Sequence, residues 1–209
     1  PPPGEWLSTL EASPVIAGRD DPLNRLPARL DDGLVYLEKY WQAEHDVARD
    51  LATLAADPPS QGPVSADDVV SSISNALAAS GIMLDPAQAD AAIAAIMHRV
   101  SVLAGGPGTG KTTTVCALLA ALQQADPHLG AVALAAPSGK AAARLRDSVS
   151  QVSERMPDDL KPIVADATTV HSLLKWQGPG TSFGYDEQHK LPFGVVVVDE
   201  ASMLSLPLA

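Results

Sequence analysis

Gly105-Gly106-Pro107-Gly108-Thr109-Gly110-Lys111-Thr112 follows the apolar stretch Val100-Ser101-Val102-Leu103-Ala104 and precedes Thr113-Thr114-Val115-Cys116-Ala117-Leu118-Leu119. This is the G-x-x-x-x-G-K-[ST] phosphate loop, in the order strand, glycine-rich turn, helix that gives the pattern its meaning. Glycines let the backbone wrap closely around a triphosphate. Several N–H groups then point into one concavity, backed by a helix N-terminus that favours negative charge. The spacing makes Gly106, Pro107, Gly108, Thr109, Gly110, Lys111, Thr112 and Thr113 the expected nucleotide-binding set. Lys111 reaches the outer phosphates and Thr112 offers its hydroxyl to Mg²⁺. ATP with Mg²⁺ is the expected ligand.

A glycine-rich turn also serves as a plain connection, so a second element has to decide. Val195-Val196-Val197-Val198-Asp199-Glu200 is an apolar run ending in two acids. Four β-branched residues in a row predict a strand buried on both faces of a parallel sheet. Acids at its C-terminal end lie where open α/β sheets place their ligands. Asp199 is then the metal-side carboxylate, and Glu200 the group that orients or deprotonates the attacking water. Lys111 and Glu200 are the expected catalytic pair, with Thr112 and Asp199 at the metal.

The chain has 209 residues, enough for one large domain or two small ones. Its single cysteine, Cys116, excludes a disulfide framework and suits a reducing compartment, which points to a cytoplasmic protein. On a mostly apolar segment, Cys116 reads as a small buried hydrophobe rather than a reactive thiol. No apolar run approaches the roughly 18 residues that span a bilayer, so no membrane is expected as partner. Pro1-Pro2-Pro3-Gly4-Glu5 is not a signal peptide, which starts with a basic segment. Net charge is −11 and unevenly placed: residues 1–100 carry 6 Lys/Arg against 15 Asp/Glu, whereas residues 101–209 carry 8 against 10. The acidic first half argues against a nucleic-acid footprint there.

Turn signals crowd residues 13–32, including Asp31-Asp32-Gly33. Leu34-Val35-Tyr36-Leu37 predicts a short strand, and Tyr40 to Ala56 a helix with Tyr40, Trp41, Val47, Leu51 and Leu54 as its apolar stripe. Residues 57–63 break it. Ser65-Ala66-Asp67-Asp68 resembles a capping box opening a helix to about Ser80, ended by Gly81. Asp85-Pro86 starts another, as N-cap and first helical residue, running to about Arg99. Beyond the phosphate loop the pattern alternates. A helix at 111–125, a strand at 131–136, a helix from Ser138 to about Val149, a Thr-capped helix near 170–174, a polar loop over 177–192 and the strand at 195–198 predict an α/β layer with parallel strands. The expected organisation is a small, mainly helical N-terminal domain over 1–83, suited to subunit docking, followed over 84–209 by a P-loop NTPase domain.

Ala136-Pro137-Ser138-Gly139-Lys140-Ala141-Ala142-Ala143-Arg144-Leu145 follows the second strand. Its small residues let a polymer approach, Lys140 and Arg144 supply charge for phosphates, and Ser138 stands at a helix N-terminus. An ordinary solvated helix start fits the same residues.

With these segments in view, the chain resembles the RecD family, the alpha subunit of bacterial exodeoxyribonuclease V (the RecBCD complex). Gly105–Thr114, Ala136–Leu145, Thr168–Leu174 and Val195–Met203 are similar to motifs I, Ia, Ib and II of superfamily 1 DNA helicases. Leu34–Trp41 is similar to the segment that joins the family's N-terminal domain to its motor, and Gln88 matches the glutamine that reads adenine. The resemblance covers residues 30–209. It implies a partial RecA-like domain and an ATP-dependent 5′→3′ translocase on single-stranded DNA, working in double-strand-break processing and recombinational repair with RecB- and RecC-type subunits. It also implies that Ser138, Lys140, Thr169 and His171 face DNA. For His171 the residues alone favour a capped or core histidine. The family's motifs III to VI and its second RecA-like domain are absent from these 209 residues, so the fragment alone is expected to be inactive as a helicase. Ser138 stands where the family often has Thr, which keeps a hydroxyl. Other readings are a stand-alone RecD-like helicase, a non-motor P-loop kinase or NTPase, and a docking subunit that holds nucleotide without turnover.

Overall fold

The computed structural model describes residues 3–21, 26–57, 59, 65–106, 108–178, 183–186 and 188–208. Backbone contacts divide the chain into two compact units, residues 1–52 with 205–209, and residues 53–204.

The first unit holds α1 (Pro3–Glu11), β1 (Ile16–Ala17), β2 (Ala28–Asp31), β3 (Leu34–Leu37) and most of α2 (Glu38–Ala56). β1 runs parallel to β2, and β2 runs antiparallel to β3. The β2–β3 hairpin turns on Asp32-Gly33, both with positive φ, at 52° and 76°. A two-residue Asp-Gly turn with left-handed centres matches the twist of the strands it joins. The centre of this unit is polar. Arg29 on β2 is fully buried, and Nε and Nη2 grip the Glu38 carboxylate at 2.8 and 2.7 Å. Its Nη1 donates to the carbonyls of Gly18, Arg19 and Asp21 at 2.7, 3.1 and 2.9 Å. The guanidinium also lies 4.2 Å over the Trp41 ring, whose Nε1 donates to Asp31 Oδ2. The bidentate bond to Arg29 holds the Glu38 carboxyl below its ordinary pKa. The stripe expected on α2 is not a buried face, since Tyr40, Leu51 and Leu54 are exposed.

The second unit holds α3 (Ala66–Ala79), α4 (Pro86–Met97), α5 (Lys111–Ala125), β4 (Val132–Ala136), α6 (Gly139–Ser153), β5 (Thr168–Thr169), α7 (Val170–Leu173) and β6 (Val195–Val198). Its sheet has the order β5-β4-β6, and both pairings are parallel. The expected α/β layer of parallel strands flanked by helices is therefore present. Val69, Val70, Ile73 and Leu77 of α3 join Cys116 and Leu119 of α5, Val132 and Leu134 of β4, and Leu145 and Val149 of α6 in one core. Burial pushes the Cys116 thiol up to about 11, so it stays protonated and packs as a hydrophobe.

Four expectations change here. The first 83 residues are mainly helical, but α3 packs on α4 and α5 rather than on the segment before it. The boundary expected near residue 83 accordingly falls at 52/53, and the first unit carries a sheet. Ser65 is the N-cap of α3, yet its side chain makes no cap hydrogen bond. Residues 100–104 do not form a strand, and Val102 is 89% exposed. β6 is an edge strand of its sheet, and Val196 is exposed rather than buried. The exposure of Val196 has a cause in the pairing. Short β-branched runs are buried only where strands or helices cover them, and among the described residues β6 is paired on its β4 side alone.

Candidate functional site

The phosphate loop opens α5. Gly108 and Gly110 have φ of 77° and 76°, a region in which side chains are strained, and Gly110 is the N-cap. Thr109 Oγ1 donates to Gly106 O at 2.9 Å, and a Cβ on Gly105 would stand 2.7 Å from that hydroxyl. Thr114 is buried beneath the turn and donates from Oγ1 to Gly110 O at 3.2 Å. Lys111 folds back, its Nζ donating to Gly105 O and Gly106 O at 2.8 Å each. Among the described residues no carboxylate pairs with it, so its charge is answered by neutral carbonyls alone. Thr112 and Thr113, in the first turn of the helix, are half-buried. Pro107 lies outside the described residues.

Gln88 reaches this loop from α4. Asp85 caps the helix by accepting Gln88 N–H at 2.9 Å, while Gln88 Oε1 accepts Asp85 N–H at 2.9 Å. This closed capping box fixes the carboxamide, whose Nε2 donates to Thr109 O at 3.2 Å. A Cβ on Gly110 would stand 2.7 Å from that nitrogen. A carboxamide has two donor hydrogens and two acceptor lone pairs. One donor and one acceptor are used inside the protein, and one of each remains for the paired polar edge of a base. Asp85 is expected from the sequence only as a helix start. Its D-x-x-Q spacing was the available signal that it also positions Gln88.

The C-terminal ends of the three parallel strands collect the other candidates. Ala136 on β4 pairs with Thr169 on β5, and Ala135 pairs with Val198 on β6. Asp199 N–H continues that ladder to Ala135 O at 2.9 Å. Ser138 and Thr169 therefore leave neighbouring strands, and both are caps. Ser138 Oγ accepts Ala141 N–H at 3.3 Å, and Thr169 Oγ1 accepts Ser172 N–H at 3.1 Å while donating to Ser172 Oγ. Lys140 and Arg144 are exposed one turn apart on α6, away from its buried Ala142, Leu145 and Val149. His171 is exposed on α7, so of the capped or core histidine that the residues alone favour, the core alternative does not hold.

Asp199 is half-buried and its Oδ1 accepts Glu200 N–H at 3.0 Å. Glu200 is exposed in the left-handed region, at φ 52° and ψ 38°. For a residue with a Cβ this costs roughly 1–2 kcal/mol, a kind of strain that clusters at functional sites. Among the described residues no group of three or more His, Cys, Asp or Glu could hold a metal unaided. No helix of the described residues is long and apolar enough to cross a membrane.

A protein-family model described as an AAA domain matches residues 88–209. Along its whole length the chain is 40% identical over 214 residues to the RecBCD enzyme subunit RecD of Mycobacterium tuberculosis (strain ATCC 25618 / H37Rv), covering 34% of that protein. It is 31% identical over 201 residues to RecBCD enzyme subunit RecD of Haemophilus influenzae, with 92% of the chain and 31% of the relative covered. With the ATP-dependent RecD2 DNA helicase of Deinococcus radiodurans it shares 32% identity over 207 residues, 97% of the chain and 25% of that helicase. The chain thus spans about a third or less of the length of these relatives. The phosphate loop, the acids after β6 and the match over 88–209 make this a nucleotide-using chain, and it belongs to the AAA-domain family, in its RecD branch.

Proposed function

We propose that this chain is the nucleotide-binding front part of an ATP-dependent DNA helicase subunit that works with RecB- and RecC-type subunits in an exodeoxyribonuclease V-type complex. The observation that carries this reading is the common edge formed by β5, β4 and β6. The candidate metal carboxylate Asp199 and the candidate DNA contacts Ser138 and Thr169 all emerge from it, on paired strands. A change at the γ-phosphate is then one strand away from the nucleic acid.

In this reading Lys111 leaves Gly105 O and Gly106 O for the outer phosphates, exchanging neutral partners for charged ones. Thr112 and Asp199 would hold Mg²⁺ together with the phosphates, where the ion would supply positive charge to the outer phosphates. Glu200 orients the attacking water and accepts its proton. Gln88 offers its remaining donor and acceptor to adenine. Ser138, Lys140, Arg144, Thr169 and His171 line the DNA side. Names of relatives include RecBCD subunits and a RecD2 DNA helicase. Those names support a DNA helicase subunit, and the sequence resemblance implies strand translocation in double-strand-break processing with 5′→3′ polarity.

The test uses the complete polypeptide that carries this sequence, assembled with its partner subunits. ATP hydrolysis is measured with and without single-stranded DNA for the wild type, Lys111→Ala and Lys140→Ala. The reading expects DNA-stimulated hydrolysis, lost in Lys111→Ala and less responsive to DNA in Lys140→Ala. Hydrolysis indifferent to DNA would instead favour a non-motor NTPase.

A further inference from the structure

The sheet of the first unit closes its polar face and leaves its apolar face open. Opposed residues of paired strands share a face. Arg29 opposes Tyr36 and Asp31 opposes Leu34, whereas Leu30 opposes Val35 and Ala28 opposes Leu37. On the other side of β2, Ile16 of β1 stands beside Ala28. α2 covers the first set: Glu38 and Trp41 engage Arg29, and Trp41 also bonds Asp31. The second set, Ile16, Ala28, Leu30, Val35 and Leu37, is apolar throughout. None of its five side chains is fully buried, and Val35 and Leu37 are 51% and 54% exposed. An antiparallel sheet with one free face ordinarily turns apolar residues in and polar residues out. This sheet does the reverse, and a contiguous apolar surface left to water marks an interaction site.

Its rim and its dimensions identify the occupant. Residues 1–52 carry 10 Asp/Glu against 5 Lys/Arg. At the strand ends Asp20 and Asp32 are exposed, and among the described residues no cation pairs with either. The neighbouring Arg19 is engaged with Asp31 at 3.4 Å. An acidic rim repels nucleic-acid phosphates and anionic lipid, and it repels a second copy of the same unit. It favours a protein whose apolar centre is flanked by Lys and Arg. β2 and β3 have four residues each, about 13 Å of strand, and the outer strands lie ~10 Å apart. An α-helix is ~10–12 Å across and spans 13 Å in about nine residues. One helix with an apolar stripe matches this face.

We infer that the face of Ile16, Ala28, Leu30, Val35 and Leu37 seats one amphipathic helix, flanked by basic residues, from a partner subunit. The patch is far smaller than the roughly 800 Å² per partner of a stand-alone interface, so the same subunit holds the polypeptide at other points as well. This rests on the complex reading above and names the surface and the partner element within it.

The experiment titrates the labelled complete polypeptide with its RecB- and RecC-type subunits and reads association and dissociation rates at low and high salt. Val35→Ser combined with Leu37→Ser should raise the dissociation rate on the order of tenfold or more, because two apolar side chains lose their cover. Leu37→Ala alone, the milder change, should raise it severalfold. Leu34→Ser, equally exposed but on the face that α2 covers, should change neither rate. Asp20→Asn with Asp32→Asn should slow association at low salt only and leave dissociation alone. Asn tolerates the left-handed backbone that Asp32 adopts at φ 52°. The inference is overturned if the Val35 and Leu37 variants dissociate like the wild type, or if Leu34→Ser acts as strongly as they do. It is also overturned if neutralising the two aspartates speeds association, or if the wild type alone self-associates through this face. A wild type that binds neither subunit refutes the complex reading, and this inference with it.

Discussion

Replacing Gln88 by alanine separates two roles that the carboxamide holds at once. The variant loses the bond from Nε2 to Thr109 O and the bond from Asp85 N–H to Oε1. It keeps the backbone half of the capping box, Gln88 N–H to Asp85 Oδ1. Losing half a cap costs helix stability of about 0.5–1 kcal/mol, a small shift in melting temperature that shows the fold survives. The Thr109 bond is neutral and long at 3.2 Å, so its net worth lies near the low end of about 0.5–1.5 kcal/mol. Its loss loosens the phosphate loop for any triphosphate by roughly 2- to 5-fold. Two further bonds to adenine would add about 1–3 kcal/mol for ATP alone, roughly 5- to 150-fold. Competition binding of ATP, GTP and inorganic tripolyphosphate to wild type and Gln88→Ala reads both effects. The expected pattern is a modest loss for all three ligands and a larger one for ATP. An unchanged ATP-to-GTP ratio refutes base reading by Gln88, and unchanged tripolyphosphate affinity refutes the tether.

Asp199→Asn should weaken Mg²⁺-dependent nucleotide binding, whereas Glu200→Gln should bind normally and lower turnover by two or more orders of magnitude; wild-type hydrolysis in Glu200→Gln removes Glu200 as the base. Gly110→Ala places a Cβ at φ 76° and 2.7 Å from Gln88 Nε2, so nucleotide affinity should fall by about tenfold or more, read by the same competition assay. Glu38→Gln breaks a buried charge pair and should destabilise the first unit by about 3 kcal/mol at neutral pH in denaturant titration. Because the folded-state pKa of Glu38 is depressed, its stabilisation is complete above the ordinary glutamate value of about 4.3 and is lost as pH falls below it. The variant should therefore show a flatter acid limb than the wild type, and equally steep limbs would contradict the pairing.

Local signals were legible and pairing across the chain was not. The phosphate loop could be read because glycines at 108 and 110 answer a backbone need that only their own φ values express. Asp85-Pro86 announced α4 for the same reason, since a cap and the first helical residue act within one turn. The Val195–Val198 run was read correctly as a strand, but its exposure depends on what lies beside it, which no run of four residues encodes. Residues 100–104, Val-Ser-Val-Leu-Ala, are also mostly apolar, and they form no strand. Ser65 shows the limit of motif spelling: the residue caps by position without its hydroxyl making the bond.

The polar centre of the first unit is the clearest case of what periodicity conceals. On β2 the alternation runs Ala28, Arg29, Leu30, Asp31, and a hydrophobic-in reading turns Leu30 to the core. The structure buries Arg29 and Asp31 more deeply instead. That choice becomes favourable only through partners far along the chain: Glu38 and Trp41 on α2, and the carbonyls of Gly18, Arg19 and Asp21. A guanidinium has five donor hydrogens, and this one makes five hydrogen-bonding contacts through its Nε and Nη atoms before counting the aromatic face above it. Once so satisfied, a buried charge no longer carries the penalty that makes sequence rules exclude it. The same reasoning separates Arg29 from Lys111. Arg29 is closed by a carboxylate, whereas Lys111 rests on two neutral carbonyls, which are weaker partners than a charged one. Of these two cations, Lys111 is the one that no carboxylate pairs with among the described residues.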